Sequence, residues 1–298
     1  MRVVDKSTSL SDKNRKQENS MRKIRIVCDS SADITYIDRP EFAYSPMKII
    51  TSDIEFVDNE RLDVDGMREF FTVYKGKSKS SCPNVSDWVD AFGDADDVIC
   101  LTITSALSGS YNSACLAKQQ YESDHEGRRV FVLDTLSAGP EITLAIHALE
   151  EYIASGLEFE EITEKIEQYI KNTGLVFMLK SLRNFANNGR VSPLVAKLVG
   201  IAGICIVGKA SDEGTLEPIH KCRGEARSLS AIIGELEKLG LRGGRVSIGH
   251  CGNEVAAEKL ACMIKERFGE LDIEIHKLRG ICSFYAEDGG LLVGFEKA

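Results

Sequence analysis

Cys100-Leu-Thr-Ile-Thr-Ser-Ala-Leu-Ser-Gly-Ser-Tyr-Asn-Ser-Ala114 joins three signals in fifteen residues. The apolar run Val98 to Ile103 predicts a buried strand. A Ser/Thr/Gly turn follows, and then a predicted helix from about Ser110 to Tyr121. A strand that runs through a small-residue turn into a helix N-terminus gathers backbone N–H groups and hydroxyls in one place. That combination suits an anion such as a carboxylate or phosphate. No acid–base pair stands close by in sequence, so the turn is suited to holding a ligand rather than reacting with it.

The same grammar recurs on either side. Ile24 to Cys28 is a strand followed by Asp29-Ser30-Ser31-Ala32-Asp33, and Val130 to Leu133 is a strand followed by Asp134-Thr135-Leu136-Ser137. Helices are expected at about 141–155 and 160–172. In the second, Ile162, Ile166, Tyr169 and Ile170 recur at the helical period. Strand–helix alternation predicts a parallel α/β sheet, with ligands outside the carboxyl ends of its strands. Residues 41–80 interrupt the alternation and read as a strand-and-loop insertion ending in a lysine-bearing loop, Lys75, Lys77 and Lys79.

After about residue 175 the rhythm changes. Strands are expected at Leu175–Leu179, Ile204–Val207, Leu216–Ile219, Val246–Ile248, Ile273–Leu278 and Leu291–Phe295. A helix at 253–268 has Asn253 as its expected N-cap and Leu260, Ile264 and Phe268 on one face. The expected organisation is a polar, disordered leader over 1–20, a Rossmann-like domain over 21–175 and an α/β domain over 176–298.

The chain has 298 residues, 43% of them hydrophobic, and a net charge of −9. The hydrophobic share is enough for a packed core. The negative charge argues against a general nucleic-acid binder, which needs a basic face. The leader has no apolar core of the signal-peptide kind. The longest membrane-like run, Leu198 to Val207, is about half of a spanning length. No transmembrane segment is expected, and the location expected is cytoplasmic. The nine cysteines contain no C-x-x-C pair and read as free thiols acting as small hydrophobes. Neither a metal site nor a cofactor is expected.

Two motif-like stretches fail on inspection. Gly203-Ile-Cys-Ile-Val-Gly208-Lys209 approaches a phosphate-binding loop, but Ala210 replaces its Ser or Thr and its body is β-branched. Ser108-Gly109 lacks the nucleophile elbow, since Ala106 stands where its first glycine belongs. A catalytic alternative stays open at this stage: a hydrolase or phosphotransferase using Ser108 with Asp29 and Asp134.

Taken in order, these residues resemble the DegV family of bacterial fatty-acid-binding proteins. Ile26-Val-Cys-Asp-Ser-Ser-Ala-Asp33 matches that family's opening motif. Ser80-Ser81-Cys82-Pro83 resembles its Thr-Ser-x-Pro element. Ser105-Ala-Leu-Ser-Gly-Ser-Tyr-Asn-Ser-Ala114 matches its Ser-x-Leu-Ser-Gly-Thr-Tyr-x-Ser-Ala signature. Asp134-Thr135 fits its Asp-Ser/Thr element, and Leu182 to Ser192 resembles Leu-x-x-Gly-Gly-Arg-Ile-Ser. There are two departures. Cys205-Ile206-Val207-Gly208 lacks the family's Ile-Lys-Pro, and Tyr285-Ala-Glu-Asp-Gly289 stands where the family has His-Thr-Gly-Pro-Gly.

The resemblance implies a Rossmann-like N-terminal domain, a two-layer α/β C-terminal domain and a long acyl chain held between them. It implies a non-catalytic carrier whose partner, a fatty acid kinase subunit, phosphorylates the bound fatty acid for phospholipid synthesis. The implied ligand-binding residues are Ser30, Ser80, Ser81, Ser108, Gly109 and Tyr285, with Tyr285 in the place of the family's carboxylate-contacting histidine. Arg223 and Arg227, at helical i, i+4 spacing with Lys221 nearby, are the expected docking residues for the kinase.

Overall fold

A computed structural model describes residues 22–192, Val195 and 203–297. The expected 1–20 leader, and the part of the apolar run from Leu198 that precedes Gly203, lie outside the described residues. The described residues begin with β1 (Ile24–Asp29) and a single 3-10 turn, Ser30–Ala32, followed by β2 (Glu41–Ser45). Next come β3 (Lys48–Ile50), β4 (Glu55–Val57), α1 (Val64–Val73), β5 (Lys79–Ser81) and α2 (Val85–Phe92). The alternation resumes with β6 (Asp97–Thr102), α3 (Ser110–Asp124), β7 (Arg129–Asp134), α4 (Pro140–Ala154) and α5 (Phe159–Lys171). The remainder is β8 (Thr173–Leu179), α6 (Arg183–Asn187), β9 (Ile204–Ala210), β10 (Leu216–Arg223), α7 (Glu225–Lys238), β11 (Arg245–His250), α8 (Glu254–Phe268), β12 (Asp272–Lys277), α9 (Gly280–Ala286) and β13 (Leu291–Glu296).

Three sheets result among the described residues. β2-β1-β6-β7 is wholly parallel, as the strand–turn–helix repeats predict. Its central strands are buried on both faces, so their side chains alternate between two cores. Val27, Val98 and Cys100 pack on Trp88, Phe92 and Tyr121 of α2 and α3. Ile26, Cys28, Ile99 and Leu101 pack on Ile142, Ile146, Ile162 and Ile166 of α4 and α5. The second sheet, β10-β9-β8-β13-β11-β12, is antiparallel except for the β11/β12 pair. One face packs on α7 and α8, with Val176, Met178, Val207, Val293 and Phe295 against Leu229, Ile232, Leu260 and Ile264. The opposite face carries Leu175, Phe177, Leu179 and Leu292 in a separate cluster.

Helix α4 lies between the two large sheets, which is why it is buried almost all round. Its approach to the second sheet depends on glycine. A Cβ on Gly294 would meet the Pro140 carbonyl carbon and the Glu141 nitrogen at 2.6 Å. The α4 N-terminus also carries Glu141, a buried carboxylate accepting from Thr173 Oγ1 at 2.6 Å and from the Ser137 hydroxyl.

The 41–80 segment differs from the sequence reading in two ways. Glu41–Ser45 is an edge strand of the parallel sheet rather than part of an interruption, because it pairs with β1. The rest is a small antiparallel sheet, β4-β3-β5, that also carries helix α1. Phe71 of α1 reaches Phe284 of α9 with ring centroids 5.0 Å apart, so the segment joins the second-sheet core. Asn253 precedes α8 without capping it through its side chain. Its amide instead donates to the Gly289 carbonyl at 3.0 Å and to Glu225 Oε2 at 3.1 Å.

Candidate functional site: an apolar cavity with a hydroxyl cluster

The inner face of the second sheet, the turns after β6 and β7, the end of β5 and helix α9 enclose a cavity of about 300 Å³. Its wall is mainly apolar, with Met47, Ile103, Leu175, Phe177, Ile281 and Leu292 among the lining residues. Strand alternation produces this wall: Leu175, Phe177 and Leu179 face the cavity, and Val176 and Met178 between them face the α7/α8 layer.

Five of the six ligand-binding residues expected from sequence line this cavity: Ser80, Ser81, Ser108, Gly109 and Tyr285. They come from three distant elements. Ser80 sits on β5, set by its register opposite Ile49. Ser108 and Gly109 form the turn before α3, folded by N–H donation from Leu107 and Ser108 to the Thr104 carbonyl, each at 3.2 Å. Gly109 lies against Cys82, whose Sγ would stand 3.4 Å from a Cβ there. Tyr285 lies on α9 and its hydroxyl is 2.6 Å from the Ser80 hydroxyl. The Tyr285 ring packs on Phe185 with centroids 4.7 Å apart. Burial pushes the Tyr285 phenol above its ordinary pKa, against smaller opposing effects of Ser80 and Arg190. The group is therefore a neutral donor near pH 7.

Ser30 is not part of the lining. It is 2% exposed, and its hydroxyl accepts the Met47 N–H at 3.0 Å. Ser30 thus ties β1 to the start of β3, and sequence position alone could not separate that role from ligand contact.

Arg190 is a charged lining residue that the sequence reading passed over. It is the one charged side chain among the described residues of the wall. Its Nε donates to the Leu107 carbonyl at 2.9 Å and Nη1 to the Asn188 carbonyl at 2.5 Å. Those bonds fix the guanidinium beside the Ser108 turn and use two of its five N–H donors. The available signal was its place after Gly189, which adopts φ +68°, in the Gly-Arg-Val-Ser element.

Among the described residues no hydrogen bond joins Ser108 to Asp29 or Asp134, the residues of the catalytic alternative. Asp29 is fully buried and accepts from the Ser31 N–H at 3.2 Å, the Ser31 hydroxyl, the Ile103 N–H at 2.9 Å and the Ser110 hydroxyl at 2.6 Å. Burial raises its pKa and these donors offset part of the rise. Asp134 accepts the N–H groups of Ser105 and Leu136, both at 3.1 Å. Both carboxylates organise turns, as Asp does after parallel strands. The Ser108 hydroxyl accepts the Ser110 N–H at 3.2 Å. Among the described residues no histidine lines the cavity.

Arg223 and Arg227 are both exposed but do not share a helix face. Arg223 ends β10 and Arg227 lies in α7, with Gly224 at φ +84° between them. The i, i+4 spacing has no helical meaning across that glycine, whose positive φ breaks the regular backbone. Among the described residues no group of three or more His, Cys, Asp or Glu is placed to hold a metal ion. Among them, too, no helix is long and apolar enough to cross a membrane.

Comparison with known proteins gives a consistent result. The family model described as "Uncharacterised protein, DegV family" matches residues 23–297. A DegV domain-containing protein of Streptococcus pneumoniae strain R6 is 42% identical over 276 residues, covering 91% of this chain and 98% of the relative. A crystal structure of a DegV family protein from Eubacterium eligens loaded with heptadecanoic acid superposes with a TM-score of 0.90 at 40% identity, covering 92% of this chain and 100% of that one. The Streptococcus pneumoniae Fatty Acid Kinase (Fak) B3 protein loaded with linoleic acid also gives a TM-score of 0.90, at 41% identity, covering 93% of this chain and 100% of that one. On the match of the family model across almost all described residues, this chain belongs to the DegV family.

Proposed function

We propose that this protein binds a long-chain fatty acid, without chemistry of its own, and presents the carboxylate to a kinase that converts it to an acyl phosphate. The observation that carries this reading is the cavity: an apolar chamber with the Ser80, Ser81, Ser108 and Tyr285 hydroxyls and the Arg190 guanidinium in its wall. Each buried methylene contributes about 0.8 kcal/mol, so a long chain needs apolar wall and few polar anchors. In this reading Ser80, Ser81, Ser108, the Gly109 backbone, Tyr285 and Arg190 share the carboxylate. Hydrogen bonds to an ionised acceptor contribute about 1.5–3 kcal/mol each. The fatty acids carried by the two structural relatives support the ligand class, and the name of the second supports the kinase partner. Arg223 and Arg227 are kept as docking candidates, as separate exposed cations on either side of Gly224. The same reading places the protein in the cytoplasm, whose reducing poise suits a chain with nine free cysteines.

Native mass spectrometry with organic extraction tests the carrier reading. A retained fatty acid, or uptake of one at micromolar concentration, is expected. A protein that neither retains nor takes up any fatty acid overturns it. For docking, charge reversal at Arg223 and Arg227 should slow phosphorylation of the bound lipid, and an unchanged rate removes them from the interface.

A further inference from the structure

The antiparallel register of the β9–β10 hairpin sets Cys205 directly opposite Cys222. Seventeen positions apart, the two show no pairing signal in the sequence. Opposed residues of an antiparallel pair project to the same face. Here that face is the core under α7, where Cys205 is buried and Cys222 packs partly buried against the same cluster. The Gly224 N–H donates to the Gly203 carbonyl at 3.1 Å, marking that pair as hydrogen-bonded. Cys205 and Cys222 lie two residues further in on each strand and so repeat that geometry, with Cα atoms about 5.5 Å apart. Disulfides form across Cα separations of about 4.4–6.8 Å. By contrast Cys28 and Cys100, on neighbouring parallel strands, belong to cores on opposite faces of their sheet.

We infer that Cys205 and Cys222 form a dithiol modification site that closes to an intramolecular disulfide under a disulfide oxidant such as oxidised glutathione. One thiolate attacks the glutathione disulfide and expels a glutathione thiolate. The second protein thiolate attacks the resulting mixed disulfide and expels the other. Two protein S–H bonds are lost and one S–S bond forms. The two electrons cleave the glutathione disulfide, and the two protons released by the protein thiols end on the expelled thiolates, giving two glutathione thiols. Cys222 is the more accessible partner and is the expected site of first attack. Burial holds its thiol above the ordinary value, although Ser228 and Arg227 oppose this. Closure should therefore be slow at neutral pH and faster as pH rises and the thiolate fraction grows. The bridge would clamp the base of a hairpin whose far end gives Ala210, Gly214, Thr215 and Leu216 to the cavity wall.

The test uses the full chain in a glutathione redox series, quenched with acid and digested without reduction. A linked peptide pair containing Cys205 and Cys222 is expected. Two fewer titratable thiols are expected on denaturation, with slower hydrogen exchange across 204–223. Cys222→Ser should abolish the two-thiol loss. The inference is overturned if oxidation stops at a glutathione adduct on Cys222, if other cysteines pair instead, or if all nine thiols persist. None of these outcomes depends on whether the cavity holds a fatty acid.

Discussion

The hydroxyls of Ser80 and Tyr285 lie 2.6 Å apart although 205 residues separate them. Their contact joins β5 of the small sheet to α9 beside the second sheet, and it places two neutral donors at one wall of the cavity.

If Tyr285 gives a hydrogen bond to the ligand carboxylate, Tyr285→Phe should weaken binding by about 2 kcal/mol while leaving the fold intact. A fluorescent fatty acid titration measures this directly. Because the phenol stays protonated, wild-type affinity should change little between about pH 6 and pH 8. Equal affinities for the two proteins would assign Tyr285 to the apolar wall alone.

Arg190 should matter through its charge. Arg190→Gln is expected to lower the affinity for a fatty acid by about 2 kcal/mol, near thirtyfold. The affinity for the corresponding fatty alcohol should move much less. Equal losses for acid and alcohol would mean that the change acts by loosening the Leu107 and Asn188 carbonyl contacts.

Gly294→Ala should destabilise the protein by about 1–3 kcal/mol in urea denaturation. Its Cβ would press on backbone atoms of Pro140 and Glu141 at 2.6 Å. Backbone at a buried helix start cannot move aside as a flexible side chain does. Wild-type stability in this variant would mean that α4 shifts freely between the sheets.

His147 links α4 to β12. Its Nδ1 is 2.9 Å from Glu150 Oε2, and its Nε2 is 3.4 Å from Glu274 Oε2. Glu274, opposed by partial burial and aided by Glu150, raises its pKa from 6.5 to about 9. A folded-state value above the unfolded one gives stability that is fully present below about pH 6.5 and lost as pH rises through about 9. Thermal unfolding between these limits should show that decline in wild type and a flatter profile in His147→Gln.

Asp33 follows the same rule over a lower range. It is buried, it accepts the Arg279 N–H at 2.7 Å, and its Oδ2 has no hydrogen-bond partner among the described residues. Burial, with a smaller contribution from Asp58, raises its carboxyl from 3.8 to about 8. The folded state then holds a proton that the unfolded chain releases, so this contribution falls as pH rises from about 4 to about 8. Asp33→Asn keeps an acceptor for Arg279 and should remove that slope in denaturant titrations. An unchanged slope would mean that Asp33 is ionised in the folded protein.

The sequence by itself determined the local grammar. Apolar runs ending in Asp, Ser or Thr fixed β1, β6 and β7, because a strand buried on both faces must be apolar throughout and its exit turn must satisfy free backbone groups. The ordered motifs fixed the family, and with it the cavity residues Ser80, Ser81, Ser108, Gly109 and Tyr285. Tertiary structure decided what depends on register and on facing surfaces. Ser30 turned inward to Met47, and Arg190 reached the cavity through carbonyls of the Leu107 turn and Asn188. Arg223 and Arg227 parted at Gly224, and Cys205 met Cys222 across a hairpin. Sequence periodicity records which side of an element is buried, whereas the partner that buries it depends on contacts between residues far apart in the chain.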